Sequence, residues 1–121
     1  MKNPLPKISA PLWKWVEGRQ GTGYSKMLLA CAYKPIPFDF YLIRYRKGQG
    51  IPTHTDPVPG WRHFRLNMEF IRSGEGGQFE CEGKTKKFWR FVLFRSDQCP
   101  HSVSPVVSGE RYVFSLGWLL K

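Results

Sequence analysis

His54 and Asp56 stand two residues apart in IPTHTDPV, and His101 follows far downstream in CPHSVSPV. Arg111 lies ten positions beyond it, in GERYVFSLGW. Two imidazoles and one carboxylate can occupy one face of a ferrous ion and leave the opposite positions open. A downstream Arg then supplies a fixed cation for the carboxylate of a co-substrate that reaches those open positions. The ordered set H-x-D, H, R reads as an oxygen-activating iron site.

Such a site needs elements that bring its members together. In a strand, residues i and i+2 point to one side, so His54 and Asp56 can grip one metal without a special turn. Pro52 and Pro57 bracket the pair, which suits the end of an edge strand running into a loop. The bland alternative is a turn-capping Asp beside a surface His. Cys99, near His101, would change the metal preference if its thiolate bound, and it is left out of the ligand set.

The rest of the chain reads almost entirely as strands. Met1–Leu12 reads as an extended, Pro-punctuated arm, Trp13–Glu17 as a helical turn or short strand, and Gly18–Gly23 as a loop. Tyr24–Tyr33 is open between strand and helix, whereas Phe38–Arg46 is a strand of Phe, Tyr, Leu and Ile. Arg62–Arg72 alternates cleanly, with Phe64, Leu66, Met68 and Phe70 on one side and His63, Arg65, Asn67 and Glu69 on the other. Gly74–Gly77 reads as a hairpin turn, followed by strands at Gln78–Glu82, Lys87–Phe94 and Arg111–Leu119. Many short strands punctuated by Gly and Pro argue for a sandwich or barrel. The 47 positions between His54 and His101 leave room for strands that carry the chain back to the first pair, as in a jelly roll.

Composition allows one domain of 121 residues with a modest core, 41% hydrophobic and 16% aromatic. No apolar run is long enough to span a bilayer, and Met1–Pro11 lacks the apolar centre of a secretory signal. Three Cys without C-x-x-C spacing favour a reduced, cytoplasmic setting, which also favours ferrous iron. The net charge of +10 is uneven: residues 1–50 hold nine Lys or Arg against two acids, residues 51–121 ten against seven. Such a field attracts anions, including acidic peptides or nucleic acid. Arg44, Arg46 and Lys47 around Tyr45, and Lys84, Lys86, Lys87 and Arg90 around Phe88 and Trp89, could stack and neutralise a single strand. A solvated strand face over a packed one is the simpler reading.

From Phe38 to Trp118 the chain resembles the Fe(II)/2-oxoglutarate-dependent dioxygenases, most of all the prolyl-hydroxylase-type branch. YLIRYRKGQGIPTHTD resembles the segment in which a Tyr and a glycine turn precede the first two ligands. LNMEFIRSGEGGQFEC resembles the strand, acidic hairpin and Gly-Gly that follow. VLFRSDQCPHSVSPVVSGERYVFSLGW resembles the closing stretch with the distal His, a Ser-Gly turn and the co-substrate Arg. The resemblance implies a mainly β, double-stranded β-helix (jelly roll) in one compact domain, with residues 1–37 as an N-terminal extension and 38–119 as the core. It implies Fe(II) held by His54, Asp56 and His101, with 2-oxoglutarate and O2 at the open positions. Arg111 would bind the distal carboxylate of 2-oxoglutarate through a planar fork that Lys lacks. Tyr45 could add a phenolic hydrogen bond, Tyr41 on the same face competes for that role, and Asn67 is a further candidate contact.

The implied activity is hydroxylation of a protein or peptide side chain or of an amino acid, with release of succinate and CO2. An oxygenase on DNA or RNA is the alternative. The oxidative nucleic-acid demethylases of the superfamily carry a second Arg six positions after the first, where this chain has Gly117. A non-catalytic jelly-roll binding module has no need of three ligands plus Arg111. Ordinary roles compete for single residues: Arg111 could pair with Glu110 or Glu69, Tyr45 could be a core aromatic, His63 a surface residue or substrate contact, and Trp61 either a substrate-facing or a core ring.

Overall fold

The computed structural model describes residues 11–18, 23–83 and 85–121. Among them the chain forms strands and no helix. In order these are β1 (Trp15–Glu17), β2 (Ser25–Ala32), β3 (Phe38–Tyr45), β4 (Ile51–His54), β5 (Arg62–Ile71) and β6 (Glu75–Gly76). They continue with β7 (Phe79–Cys81), β8 (Thr85–Phe88), β9 (Phe91–Arg95), β10 (His101–Val103), β11 (Val106–Ser108) and β12 (Arg111–Leu120). A seven-stranded antiparallel sheet runs β1-β2-β3-β12-β5-β9-β8. Against it stand a three-stranded sheet, β4-β10-β7, and the two-stranded β11-β6. The fold is a jelly roll. No helix among the described residues is long and apolar enough to cross a membrane.

The last strand, β12, organises the site because it lies between β3 and β5. Its residues alternate between buried and half-buried, so Arg111, Val113, Ser115 and Gly117 turn inward together. Register then fixes their neighbours. Arg111 lies opposite Tyr45 on β3; Ser115 lies between Tyr41 on β3 and Asn67 on β5; Gly117 lies between Asp39 and Arg65. Tyr24, Tyr45, Val103, Val106 and Val113 close one end as a buried cluster, with Ile43, Ile51 and Phe79 packed against it. Fully burying a side chain such as Val113 contributes roughly 1.5–3 kcal/mol. Gly76 lets β6 approach β11: at φ 73° its missing Cβ would sit 2.2 Å from the Pro105 carbonyl oxygen.

On β5 the alternation holds, and the polar side, with the candidate contact Asn67, faces the interior. Phe64 and Phe70 join an aromatic ladder on the other face of the large sheet, with Phe64 stacked on Trp118 at 5.8 Å and Phe70 on Phe114 at 4.6 Å. His63, Arg65 and Asn67 line the interior cavity. Elsewhere expectations change. The stretch 87–94 is two strands rather than one, broken where Trp89 takes a positive φ of 52°. The Gly74–Gly77 turn carries a two-residue strand and passes the chain from the large sheet toward the smaller ones, so β5 and β7 are not hairpin partners. Of the alternatives left open, Tyr24–Tyr33 is mostly the strand β2, and Trp13–Glu17 yields the short strand β1, which pairs with β2. The arm at Met1–Leu12 and the Gly18–Gly23 loop lie largely outside the described residues.

Candidate metal centre and anion pocket

His54 ends β4 and His101 begins β10, and antiparallel pairing sets the two residues opposite each other. Their rings come within 4.4 Å, centroid to centroid. Each ring is clamped locally. His54 Nδ1 donates to the carbonyl of Pro52 at 2.8 Å, and His101 Nδ1 donates to that of Cys99 at 2.7 Å. A carbonyl can only accept, so Nδ1 carries the proton in both rings, and Nε2 is the atom that could ligate a metal.

Asp56 follows β4 and is pinned by Ser96, whose carbonyl accepts its backbone N–H at 2.8 Å. The Ser96 hydroxyl donates to Asp56 Oδ2 at 3.1 Å. That oxygen lies 3.6 Å from His54 Nε2 and 3.3 Å from His101 Nε2, and the three donor atoms all fall within 4.8 Å of one another. Ligands at about 2.1 Å from one metal and at right angles lie about 3 Å apart, so a small contraction of this triangle suits a facial two-histidine, one-carboxylate site. Burial acts to raise the Asp56 pKa. Hydrogen bonds and charge from the His101 and His54 rings more than offset it and hold the carboxyl far below its usual range. A metal ion would replace the ring protons as the cation at this point.

His63 is not a member of the triangle. Its Nδ1 lies 3.0 Å from the Asp56 carbonyl oxygen and 3.2 Å from Ser96 Oγ. Burial, then the nearby positive charge of Arg65, lower its pKa against the opposing hydrogen bond to the Asp56 backbone. It buttresses the loop that presents the carboxylate.

A cavity of about 180 Å³ joins this triangle to the closed end of the barrel. Arg111, 4% exposed, sits at that end with its guanidinium 5.0 Å from the centre of the Tyr45 ring. Tyr45 stacks on Tyr24 at 5.4 Å. Burial, against the opposing charge of Arg111, raises the Tyr45 pKa well above the ordinary phenol value, so its hydroxyl stays a donor. Asn67 and Tyr41 also line the cavity, which brings all four expected anion contacts to one wall system. The Asn67 Oδ1 is buried without a hydrogen-bond partner among the described residues. A polar end left unmet in a cavity wall calls for a ligand or water. The donor types and this orphaned amide suit a metal ion with a carboxylate-bearing co-substrate.

The structure adds three features around the cavity, of which the sequence reading considers only the first. Arg111 Nε donates to Glu69 Oε2 at 2.5 Å, so the ordinary partner considered for this Arg is realised, with Arg111 buried and Glu69 lining an open depression next to it. Arg65 donates to Ser115 Oγ at 2.6 Å and to Asp39 Oδ1 at 2.5 Å, placing a second guanidinium in the cavity. Gly117 makes room for it: a Cβ there would meet Arg65 Nη2 at 2.0 Å. Ser96, which supports Asp56, had no distinguishing signal beyond its place before the distal histidine. Trp61, by contrast, lies under Lys121 Nζ, 4.5 Å from its ring centre, and does not line the cavity. Tyr45 points inward while Arg44 lies over the Trp15 ring at 4.2 Å, so the basic residues around Tyr45 do not form one patch with it.

Comparison with known proteins agrees with this geometry. The sequence model of the 2OG-Fe(II) oxygenase superfamily matches residues 40–119. Among solved structures the chain is similar to the viral collagen prolyl hydroxylase vCPH from Paramecium Bursaria Chlorella virus-1, in its 2OG complex, at 22% identity and a TM-score of 0.53. That likeness covers 71% of this chain and 60% of the viral enzyme, so the chain spans about 60% of that relative's length. A prolyl-4-hydroxylase from Pseudomonas putida is similar at 16% identity and a TM-score of 0.66, over 89% of this chain and 78% of that one. At such identities these likenesses show the fold. No curated protein sequence matches the chain significantly.

Proposed function

This chain belongs to the 2OG-Fe(II) oxygenase superfamily, and on that premise we propose that it hydroxylates a side chain of a protein or peptide, or an amino acid. The observation that carries the reading is one cavity with the His54, Asp56 and His101 donor triangle at one end and buried Arg111 at the other. When bound, Fe(II) and 2-oxoglutarate supply an oxidation by O2 that inserts one oxygen atom into a C–H bond and releases succinate and CO2.

The chain's own residues do the positioning. His54 and His101, each fixed by a carbonyl on Nδ1, offer Nε2 to the metal; Asp56 offers the charged oxygen, held by Ser96. Arg111 receives the distal carboxylate of 2-oxoglutarate, with the Tyr45 hydroxyl as a protonated donor beside it and the Asn67 amide on the adjoining wall. Phe79 and Phe94 flank His101, at 6.1 Å and 4.9 Å between ring centres, and keep water from that side of the site. Turnover under air with Fe(II), 2-oxoglutarate and a peptide and amino-acid panel tests the proposal. Succinate formed in step with a product heavier by one oxygen supports it, whereas no oxygenated product on any panel member counts against it.

One observation favours a second reading, an oxygenase on nucleic acid. The β8–β9 hairpin exposes Phe88 and Trp89 beside Lys86, Lys87 and Arg90, and the Arg90 guanidinium lies 5.4 Å from the Trp89 ring. Basic and aromatic groups so arranged suit single strands. Oligonucleotide affinity that falls steeply with salt, with an oxidised base as product, would put this reading first; weak, salt-insensitive binding removes it.

A further inference from the structure

We propose that Glu69 is a built-in competitor for Arg111 and sets how tightly the cavity holds a dicarboxylate; this rests on the reading of Arg111 as the distal-carboxylate site. An Arg kept for a ligand carboxylate holds it best when no other anion is near. Here the guanidinium is already engaged, through Nε, by Glu69 Oε2 at 2.5 Å. Glu69 reaches it from the cavity face of β5, directly opposite Val113. A carboxylate arriving at the remaining nitrogens of Arg111 meets the Glu69 charge a few ångströms away, in a setting where Arg111 is 4% exposed and solvent screens little.

The competitor is itself under tension from outside. The other Glu69 oxygen, Oε1, lies 3.2 Å from Nε of Arg72, whose side chain is 61% exposed. Behind the pair is an open depression of about 440 Å³ that Glu69, Arg72 and Arg111 all help to line. Glu69 therefore has a second cation and a wet space toward which its carboxylate can turn. Affinity for the dicarboxylate is the balance between Glu69 on Arg111 and Glu69 on Arg72. Only a ligand with a distal carboxylate feels this balance.

The test uses metal-loaded protein without O2, titrated with 2-oxoglutarate and, separately, with 2-oxobutanoate, which keeps the 2-oxo acid and lacks the distal carboxylate. Glu69→Gln is isosteric and keeps an acceptor for Arg111; it should bind 2-oxoglutarate about tenfold more tightly, with 2-oxobutanoate unchanged. Arg72→Gln, at an exposed position, should weaken 2-oxoglutarate by about twofold to threefold, again without effect on 2-oxobutanoate. Equal or weaker 2-oxoglutarate binding by Glu69→Gln overturns the proposal and makes Glu69 an orienter of Arg111. Equal changes for both ligands also overturn it, since they would report a general disturbance of the fold. Arg111→Leu separates the two levels: if it binds 2-oxoglutarate like the wild type, the reading of Arg111 itself fails.

Discussion

The two ends of the cavity are built in different ways. At the metal end, short strands and a loop carry the ligands, and each histidine is fixed by the carbonyl two residues before it. At the anion end, three long strands carry the residues, and the contacts that place Arg111 come from other strands. Arg111 is placed by Tyr45 from β3 and Glu69 from β5, both brought in by register. The contrast teaches that two histidines of such a site can each be prepared by their own segment, with strand pairing setting them together and Ser96 from a distant loop holding the carboxylate. The buried guanidinium depends instead on the strands beside it.

The largest expected effect is therefore confined to one end. Asp56→Ala should reduce Fe(II) affinity by about 100-fold or more, since it removes the charged ligand, while the metal-free protein keeps its fold and loses only the stability of the Asp56–histidine contacts. Metal titration followed by a melting curve checks both halves. Loss of fold instead of loss of metal would break the contrast.

Arg111→Leu comes next and should act at the other end. It should weaken 2-oxoglutarate by roughly 30-fold or more, because a buried charge partner is removed, while leaving Fe(II) affinity near that of the wild type. Arg111→Lys should recover part of the loss, since the charge returns without the planar fork. Titrating metal-loaded variants with 2-oxoglutarate decides it. If Leu and wild type bind alike, the anion end lies elsewhere, and Arg65 becomes the cation to examine.

Ser96→Ala sharpens the account of the metal end. It removes the hydroxyl that donates to Asp56 Oδ2 and should weaken Fe(II) by about tenfold, as supports of ligands commonly do. His63→Ala, at the backbone of the same loop, should cost less. If His63→Ala abolished metal binding while Asp56→Ala did not, the assignment of ligands would be wrong.

The smallest effect concerns the anion end and pH. Burial raises the Tyr45 pKa above its ordinary phenol value. Above pH about 10 the unfolded chain ionises this phenol while the folded one keeps its proton. The folded state then binds more protons, so its stability is full below that pH and falls as pH rises, by up to about 1.4 kcal/mol per unit. Urea unfolding between pH 8 and 11 should show a shallower alkaline fall in Tyr45→Phe than in the wild type. Parallel slopes would mean that Tyr45 ionises in the fold as freely as outside it.

Much of the metal end was legible in the residues. H-x-D fixed a pair on one side of an extended segment, and the distal histidine came with the Arg ten positions later. The mainly β character was also legible, from alternation and from Gly and Pro punctuation. Period two says which residues share a side of a strand; it does not say which side faces inward. On β5 the usual expectation, apolar in and polar out, fails because the interior is a polar cavity and the outer face carries an aromatic ladder. The break at Trp89, the β6–β11 pairing and the companions of Arg111 all depend on which strands meet and in what register.

Sequence by itself singled out His54, Asp56 and His101 as candidate ligands and Arg111 as the candidate cation, and it indicated the strand-rich class, because these readings rest on residue type, chain order and the geometry of an extended segment. Only the tertiary structure decided that Glu69 shares Arg111, that Arg65 fills the space left by Gly117, and that Ser96 holds Asp56. These contacts join residues 42, 52 and 40 positions apart, the first two across neighbouring strands and the last between two loops. Local spacing carries no information about such contacts. Pairing register does, and register is fixed only when the sheets close around the cavity.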